Sequence, residues 1–306
     1  MQNTDLSTHG WEDYELLDSG DNRKLERFGK FTVIRPETQA IWRPLRPELW
    51  KRADAEFRFE GGKGSWRGKQ PPVPWTIAWN NDLKCSLRLT SFKHTGIFPE
   101  QEPNWKWTAE RVDALAAKRR NGAAAGRNND EKPRVLNLFG YTGAAGIVAA
   151  KHGAAVTHLD ASKQSNTWAR ANAEHSGVPD GAFRVITDDA LTFVAREARR
   201  GAAYDGIILD PPAFGRGPDG EVWRIEEDIV PLLDAARKIF LQKSGSFFLL
   251  NGYAAGYAPR AFAQAVESAF GTIDNGKNGE FGEVHINEKD SGRVVPSGIY
   301  VRFVVK

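Results

Sequence analysis

The stretch RVLNLFGYTGAAG, residues 134–146, decides how the chain folds. RVLNLF reads as a short apolar strand, and GAAGIVAAKH, which begins inside the same stretch, reads as a helix. Between them Gly140, Gly143 and Gly146 recur every third residue. A strand that runs through glycines into a helix is the first half of a β-α-β unit. Such a loop lets a ligand approach the backbone, and the helix beyond it offers free N–H groups and a positive end. The spacing is not the dinucleotide fingerprint G-x-G-x-x-G, which from Gly140 would need glycine where Tyr141 stands. Phe139, Tyr141 and Thr142 add bulk where a pyrophosphate would sit. A nucleoside or a ligand bearing a carboxylate fits this loop better.

Outward from this loop the pattern repeats. AAVTHLD, AFRVIT, YDGIILD and GSFFLLN are further strand candidates. KQSNTWARANAEHS, ALTFVAREARR and IVPLLDAARKIFLQ alternate with them as helices. Strict alternation implies right-handed crossovers and a parallel sheet. A further helix, PRAFAQAVESAF, leads to two closing strands, GEVHINEK and GIYVRFVVK. The expected fold is therefore α/β: a seven-stranded, mostly parallel sheet over residues 134–306.

The carboxyl ends of these strands carry acids, at the edge where open α/β sheets bind ligands. Asp160 ends the second strand, 20 residues past Gly140. A carboxylate there can accept both ribose hydroxyls, and it could equally cap the following helix. The third strand ends in TDDA. Asp188 or Asp189 could accept from an adenine amine, or cap the next helix, and Asp189 is the favoured of the two. The fourth strand ends in DPPAF, residues 210–214. Two prolines fix φ and cannot continue a sheet, so they form a stiff bracket holding the Asp210 carboxylate beside the ring of Phe214. A glycine loop, a ribose carboxylate and an adenine reader, in that order, are what an adenosine-bearing ligand needs.

The amino-terminal third differs. Eight of the ten tryptophans stand at or before Trp107, and ten Lys/Arg face five Asp/Glu between Lys30 and Gln70. FTVI, AEFRFE, WTIAWN and CSLRLT, broken by turns such as GGKGSWRGKQPP, predict a smaller β-rich domain over residues 1–92. Its basic and aromatic residues could stack bases and hold phosphates, or could simply build a β-domain core with a solvated face. Residues 93–133 read as a connecting segment: a helix from Trp107, then the small, polar linker NGAAAGRNNDEKP. The single cysteine, Cys85, excludes an intrachain disulfide framework and a cysteine-based zinc site. No secretory leader and no membrane-spanning run is read in the sequence. The expected setting is cytoplasmic, with no metal. A net charge of +3 among 306 residues is too mild to prove a nucleic-acid partner.

Taken together, NLFGYTGAAG, HLDAS, TDDA and LDPPAF resemble the successive motifs of Rossmann-like S-adenosylmethionine (SAM)-dependent methyltransferases. The resemblance is to the bacterial large-subunit ribosomal RNA methyltransferases of the cytosine-C5 and guanine-N7 types, and covers about Thr95 to Lys306. HTGIFPEQ, residues 94–101, looks like the TGLF segment before their catalytic domain, which implies Phe98 near SAM. The resemblance further implies cofactor contacts from Phe139, Gly140, Tyr141, Thr142 and Gly143, from Asp160 with Ala161, from Asp188 and Asp189 with Ala190, and from Asp210. Asp210, Pro211, Pro212 and Phe214 would hold a planar methyl acceptor, the carboxylate and a proline carbonyl accepting from its N–H. The first ninety residues occupy the place of the β-rich RNA-binding part of those enzymes.

One departure narrows the chemistry. Cytosine-C5 relatives carry a cysteine nucleophile after the fifth strand, where this chain reads FFLLNGYAAGY. A ring or exocyclic nitrogen is already nucleophilic and needs no thiolate. Asn251 resembles the asparagine of the guanine-N7 relatives, or is a turn residue before Gly252. The expectation is methyl transfer to a nitrogen of a base in ribosomal RNA. The alternative is methylation of a protein side chain or small molecule, since such brackets also accept planar amides. A nicotinamide oxidoreductase is disfavoured by the Gly140 spacing, and a SAM-binding module without catalysis by the intact motif set.

Overall fold

The computed structural model describes residues 1–124, 132–253, 256–271 and 279–306. Most of the expected linker at 121–133 lies outside these. The amino-terminal elements are β1 (Gln2–Asn3), β2 (Leu6–Thr8), β3 (Tyr14–Gly20), β4 (Arg23–Phe28) and β5 (Phe31–Pro36). There follow α1 (Pro47–Trp50), β6 (Ala55–Glu60), β7 (Lys63–Gly68), β8 (Thr76–Trp79) and β9 (Leu83–Ser86). A long helix, α2 (Glu102–Ala124), leads to β10 (Arg134–Leu138), α3 (Ala144–Lys151), β11 (Ala155–Asp160), α4 (Lys163–His175) and β12 (Phe183–Thr187). Next come α5 (Ala190–Arg199), β13 (Gly206–Leu209), β14 (Phe214–Arg216), β15 (Val222–Arg224) and α6 (Ile225–Ile239). The chain closes with β16 (Phe247–Gly252), α7 (Pro259–Phe270), β17 (Gly279–Asn287) and β18 (Val294–Val304).

The chain divides into two compact units. The first comprises residues 1–5, 104–283 and 298–306, and the second residues 6–103 and 284–297. These limits differ from the 1–92, 93–133 and 134–306 division read in the sequence. β1 pairs in parallel with β17, Gln2 opposite Glu280, and the Tyr300 hydroxyl donates to the Thr4 carbonyl at 2.7 Å. The first residues are thereby stitched to the end of the chain. Conversely, residues 284–297, the far part of the last two strands and their turn, fall in the second unit.

In the first unit the strand order is β1-β17-β18-β16-β13-β10-β11-β12. β10 pairs in parallel with β11 and β13, β11 with β12, and β13 with β16, while β18 runs antiparallel to β16. The seven expected strands are all present, and β1 is added beyond β17. Every residue of β13 and β16 is buried. That is why both read as unbroken apolar runs: helices cover the two faces of a parallel sheet. The core joins Leu136, Leu138, Ile207 and Leu209 to Phe193, Leu232, Leu233 and Phe248. The chain leaves β10 towards β12 in one direction and returns on the other side at β13. This reversal makes the carboxyl ends of β10 and β13 the topological switch point, the place where open α/β sheets bind ligands.

The second unit is β-rich. It has a five-stranded sheet, β3-β4-β5-β6-β7, antiparallel except for the β5–β6 pair, and the hairpin β8–β9. β2 pairs in parallel with the Val284–Ile286 part of β17. Its core holds Tyr14, Leu25, Phe28, Val33, Trp75, Ile77 and Trp79. Glu26 is fully buried and takes a two-point pair from Arg35, Nε at 2.6 Å and Nη2 at 2.7 Å, with the Tyr14 hydroxyl donating at 2.9 Å. Burial alone would raise the Glu26 pKa, and the Arg35 charge brings it down to about 2. The tryptophans here mostly pin structure: the indoles of Trp42, Trp50, Trp66 and Trp75 donate to Ser19, Asp18, Thr90 and Phe28 respectively.

Candidate cofactor and acceptor site

Strand register places the candidate residues in one row. Leu250, Leu209, Leu138 and Leu159 pair across β16, β13, β10 and β11, and Leu159 pairs with Ile186 of β12. The residues that follow, Asn251, Asp210, Phe139, Asp160 and Thr187, therefore stand level along the carboxyl edge. Backbone bonds tie the row together: the Asp210 N–H donates to Leu138 at 3.3 Å and the Gly140 N–H to Leu159 at 3.0 Å.

The glycine loop is shaped by what lies beneath it. A Cβ on Gly140 would stand 2.3 Å from His158 Cε1 and 2.6 Å from Asn137 Nδ2, and one on Gly146 would stand 2.9 Å from Phe183 Cε2. These two glycines are demanded by side chains of the sheet, rather than by a ligand reaching the backbone. Phe139, Tyr141 and Gly143 all have positive φ, 54°, 49° and 98°. The loop thus makes two left-handed steps that bulky residues rarely take. Thr142 is buried, its carbonyl accepting from Asn172 Nδ2 at 3.0 Å. Gly143 begins α3 with no side-chain cap. The first-turn N–H groups of α3 consequently rely on water or a ligand.

Asp160 bridges two loops instead of capping a helix. Its Oδ2 accepts from the Tyr141 N–H and its Oδ1 from the Ser162 N–H, both at 2.8 Å. The cap of α4 is Ser162, whose hydroxyl accepts from Ser165 at 3.1 Å. A carboxylate offers about four lone-pair sites, so each Asp160 oxygen retains acceptor capacity. Burial raises the Asp160 pKa, opposed by the two backbone donors. Ala161 follows at the half-buried start of the same turn. His158 escaped the sequence reading, although the H of HLDAS is visible there. It is fully buried under the loop, Nδ1 lying 3.2 Å from Asn137 Nδ2, and burial lowers its pKa to about 3.

At the third strand end the two aspartates divide the work. Asp188 is committed: Oδ1 accepts from the Asp189 N–H at 2.9 Å and Oδ2 from Arg196 Nη2 at 2.5 Å. Asp189 caps α5 through Oδ1, accepting from Thr192 at 2.8 Å. No hydrogen bond to its Oδ2 occurs among the described residues. Ala190 is buried in the apolar core.

The DPPAF bracket leads into a feature the sequence did not reveal, the hairpin β14–β15. Pro211 is buried, Pro212 is exposed, and Phe214 is 57% exposed. Trp223 of β15 is buried, and its Nε1 donates to the Pro212 carbonyl at 2.7 Å. Its ring lies 4.9 Å from that of Phe139. With the Pro212 carbonyl occupied, the Pro211 carbonyl is the one left without a hydrogen bond among the described residues.

Asn251, at one end of the row, and two residues of the second unit remain. Asn251 is buried, its Oδ1 accepting from Asn104 Nδ2 of α2 at 2.8 Å. Arg302 donates to Asn104 Oδ1 at 3.0 Å and to Glu280 at 2.7 Å, so Asn251 belongs to a buried polar network. In the second unit, Phe98 packs on His94 with ring centroids 5.1 Å apart. Cys85 is fully buried in β9, and burial pushes its thiol up to about 12. Among the described residues no group of three His, Cys, Asp or Glu is placed to hold a metal ion, and no helix is long and apolar enough to cross a membrane.

A solved SAM-dependent methyltransferase from Agrobacterium tumefaciens superposes with a TM-score of 0.86 at 35% identity, covering 99% of this chain and 94% of that one. The chain belongs to the SAM-dependent methyltransferases. The family model described as Conserved hypothetical protein 95 matches residues 125–218, the stretch from the glycine loop through the bracket. The ribosomal RNA large subunit methyltransferase I of Aeromonas hydrophila is 31% identical over 184 residues, covering 58% of this chain. The match spans 42% of that curated relative's length. SMU.776 complexed with SAH shares the fold, with a TM-score of 0.68 at 18% identity over 96% of this chain and 76% of that one. The donor set of the row fits the family's cofactor. Asp160 keeps acceptor capacity for paired hydroxyls, Asp189 Oδ2 is uncommitted, and the uncapped start of α3 suits a carboxylate.

Proposed function

We propose that this chain transfers the methyl group of SAM to a nitrogen of a base in RNA, ribosomal RNA above all, without a cysteine nucleophile. The observation that carries the reading is the bracket: Asp210 and the Pro211 carbonyl stand at the end of β13, in register beside the loop after β10. Phe139 to Gly143, Asp160 with Ala161, and Asp189 with Ala190 would hold the cofactor. In this reading Asp160 takes the ribose hydroxyls, Asp189 Oδ2 the adenine amine, and the start of α3 the amino-acid carboxylate. Asp188 serves by locking Asp189 and Arg196 in place.

When bound, SAM supplies an already activated methyl carbon, so the protein's part is position and field. Asp210 and the Pro211 carbonyl would accept from the N–H of a planar acceptor. That orients the ring and aims the nitrogen lone pair. Phe214 would stack on the ring, and its exposure leaves that face open to an incoming base. Cys85, buried and held protonated, supports a route without a thiolate. The RNA reading draws on two supports. The curated relatives are ribosomal RNA methyltransferases, and the second unit exposes Phe59, Phe92 and the basic residues Lys51, Arg52, Arg58, Lys63 and Arg67, with Arg58 paired to Glu56 and Arg67 to Glu60.

The test is methyl incorporation from tritiated SAM into ribosomal RNA of a strain lacking the gene, followed by mass mapping of the modified nucleoside. An N-methylated base is the expected product. A C5-methylated pyrimidine would refute the nitrogen reading, and transfer only to protein or small molecules would refute the RNA reading.

A further inference from the structure

We propose that Trp223 is a positioning residue that locks the acceptor bracket to the cofactor loop, holding methyl donor and methyl acceptor at one spacing. The proposal rests on reading the row of strand ends as a methyl-transfer site. Trp223 is the middle residue of β15, opposite Gly215 of β14. Side chains alternate across so short a hairpin. Phe214, Arg216, Val222 and Arg224 are exposed, while Trp223 is buried. Gly215 lies against both partners: a Cβ there would make ordinary contact with Pro212 Cγ at 3.5 Å and with Trp223 Cβ at 3.8 Å.

One indole thereby touches two loops that leave different strands. Its N–H holds the Pro212 carbonyl, which fixes the peptide plane between Pro212 and Ala213. With both proline φ angles set, little freedom remains between Asp210 and that anchor. Its ring face meets Phe139, tilted by 56°. Phe139 sits at φ 54°, a conformation that a bulky residue keeps only where its surroundings over-determine it. The Trp223 ring on one side and the adjoining Gly140 bond to Leu159 on the other supply that constraint. Trp223 and Phe139 are both part of the apolar core, and any buried indole N–H needs an acceptor; what marks the lock is that the acceptor taken is the carbonyl of the bracket's own Pro212.

The decisive variant is Trp223→Phe, which keeps a ring against Phe139 and deletes the donor to Pro212. Methyl transfer tolerates little misplacement, and an ångström of error can cost about a hundredfold. The expected result is a kcat lowered about tenfold or more, with KM for RNA and the calorimetric Kd for SAH within about twofold of wild type. SAH stoichiometry stays unchanged, which separates a positioning defect from a loss of folded protein. Trp223→Leu, which removes the ring as well, should also weaken SAH binding about fivefold or more through the loosened Phe139. A Trp223→Phe enzyme with wild-type kcat, or one that loses kcat and SAH affinity together, overturns the proposal. So does a Trp223→Leu protein that binds SAH as wild type does. If wild type binds SAH but methylates no RNA, the proposed substrate fails on its own, and the SAH arm still judges the lock.

Discussion

Asp160→Asn puts the cofactor reading to its sharpest test. The two carboxylate oxygens each hold one backbone donor, Tyr141 N–H and Ser162 N–H, both at 2.8 Å. An amide replaces one acceptor with an NH2 group. In either orientation one of these N–H groups faces a donor, and one lone pair meant for a ribose hydroxyl is gone. Leaving a half-buried polar group unmatched costs about 1–3 kcal/mol. The two losses fall in different measurements. The unpaired N–H lowers thermal stability, and the missing acceptor weakens SAH, and with it SAM, by about 1–3 kcal/mol, or 5- to 150-fold in Kd. Calorimetry with SAH, beside a thermal melt, reads both. An Asp160→Asn protein that melts lower yet binds SAH with the wild-type Kd would show that Asp160 only staples two loops, and the ribose assignment would be wrong.

Because burial raises the Asp160 pKa, SAH affinity should start to fall, on acidification, at a pH above the ordinary aspartate value of about 3.9, and Asp160→Asn should remove that dependence. His158 is neutral in the fold down to about pH 3, while an unfolded histidine protonates near 6.5. Its contribution to stability is whole above about 6.5 and is lost as pH falls towards 3, so wild type should lose more stability over that window than His158→Phe in denaturant titrations. Gly140→Ala should destabilise the fold and loosen SAH, because its Cβ would overlap the His158 ring at 2.3 Å; wild-type melting and affinity would show that the loop yields freely. Cys85→Ala should keep methyl transfer per folded molecule, and abolished transfer in a folded protein that still binds SAH would restore covalent catalysis.

The sequence by itself determined the βα alternation and the parallel sheet. A strand covered on both faces must be apolar at every position, so β13 and β16 announce themselves as unbroken runs. It also determined that Asp160, the Asp188–Asp189 pair and Asp210 stand at strand ends, because each closes or follows a strand-like stretch. The pairing of aspartates with roles needed three dimensions. An aspartate before a helix looks the same whether it caps that helix, as Asp189 does, or reaches across to the neighbouring loop, as Asp160 does while Ser162 caps instead. The glycines were legible as a loop but not as a consequence of His158 and Phe183, which come from other strands. Asn251 read as a turn residue or an acceptor-side group, and the fold commits it to Asn104, 147 positions away. β1 is two residues long and gains its place only from a strand near the other end of the chain. Trp223 lies in a three-residue strand with no pattern of its own, and what it does depends on Phe139 and Pro212 meeting it there. Local pattern records which face of an element is buried; which distant group occupies that face is settled only when the strands align.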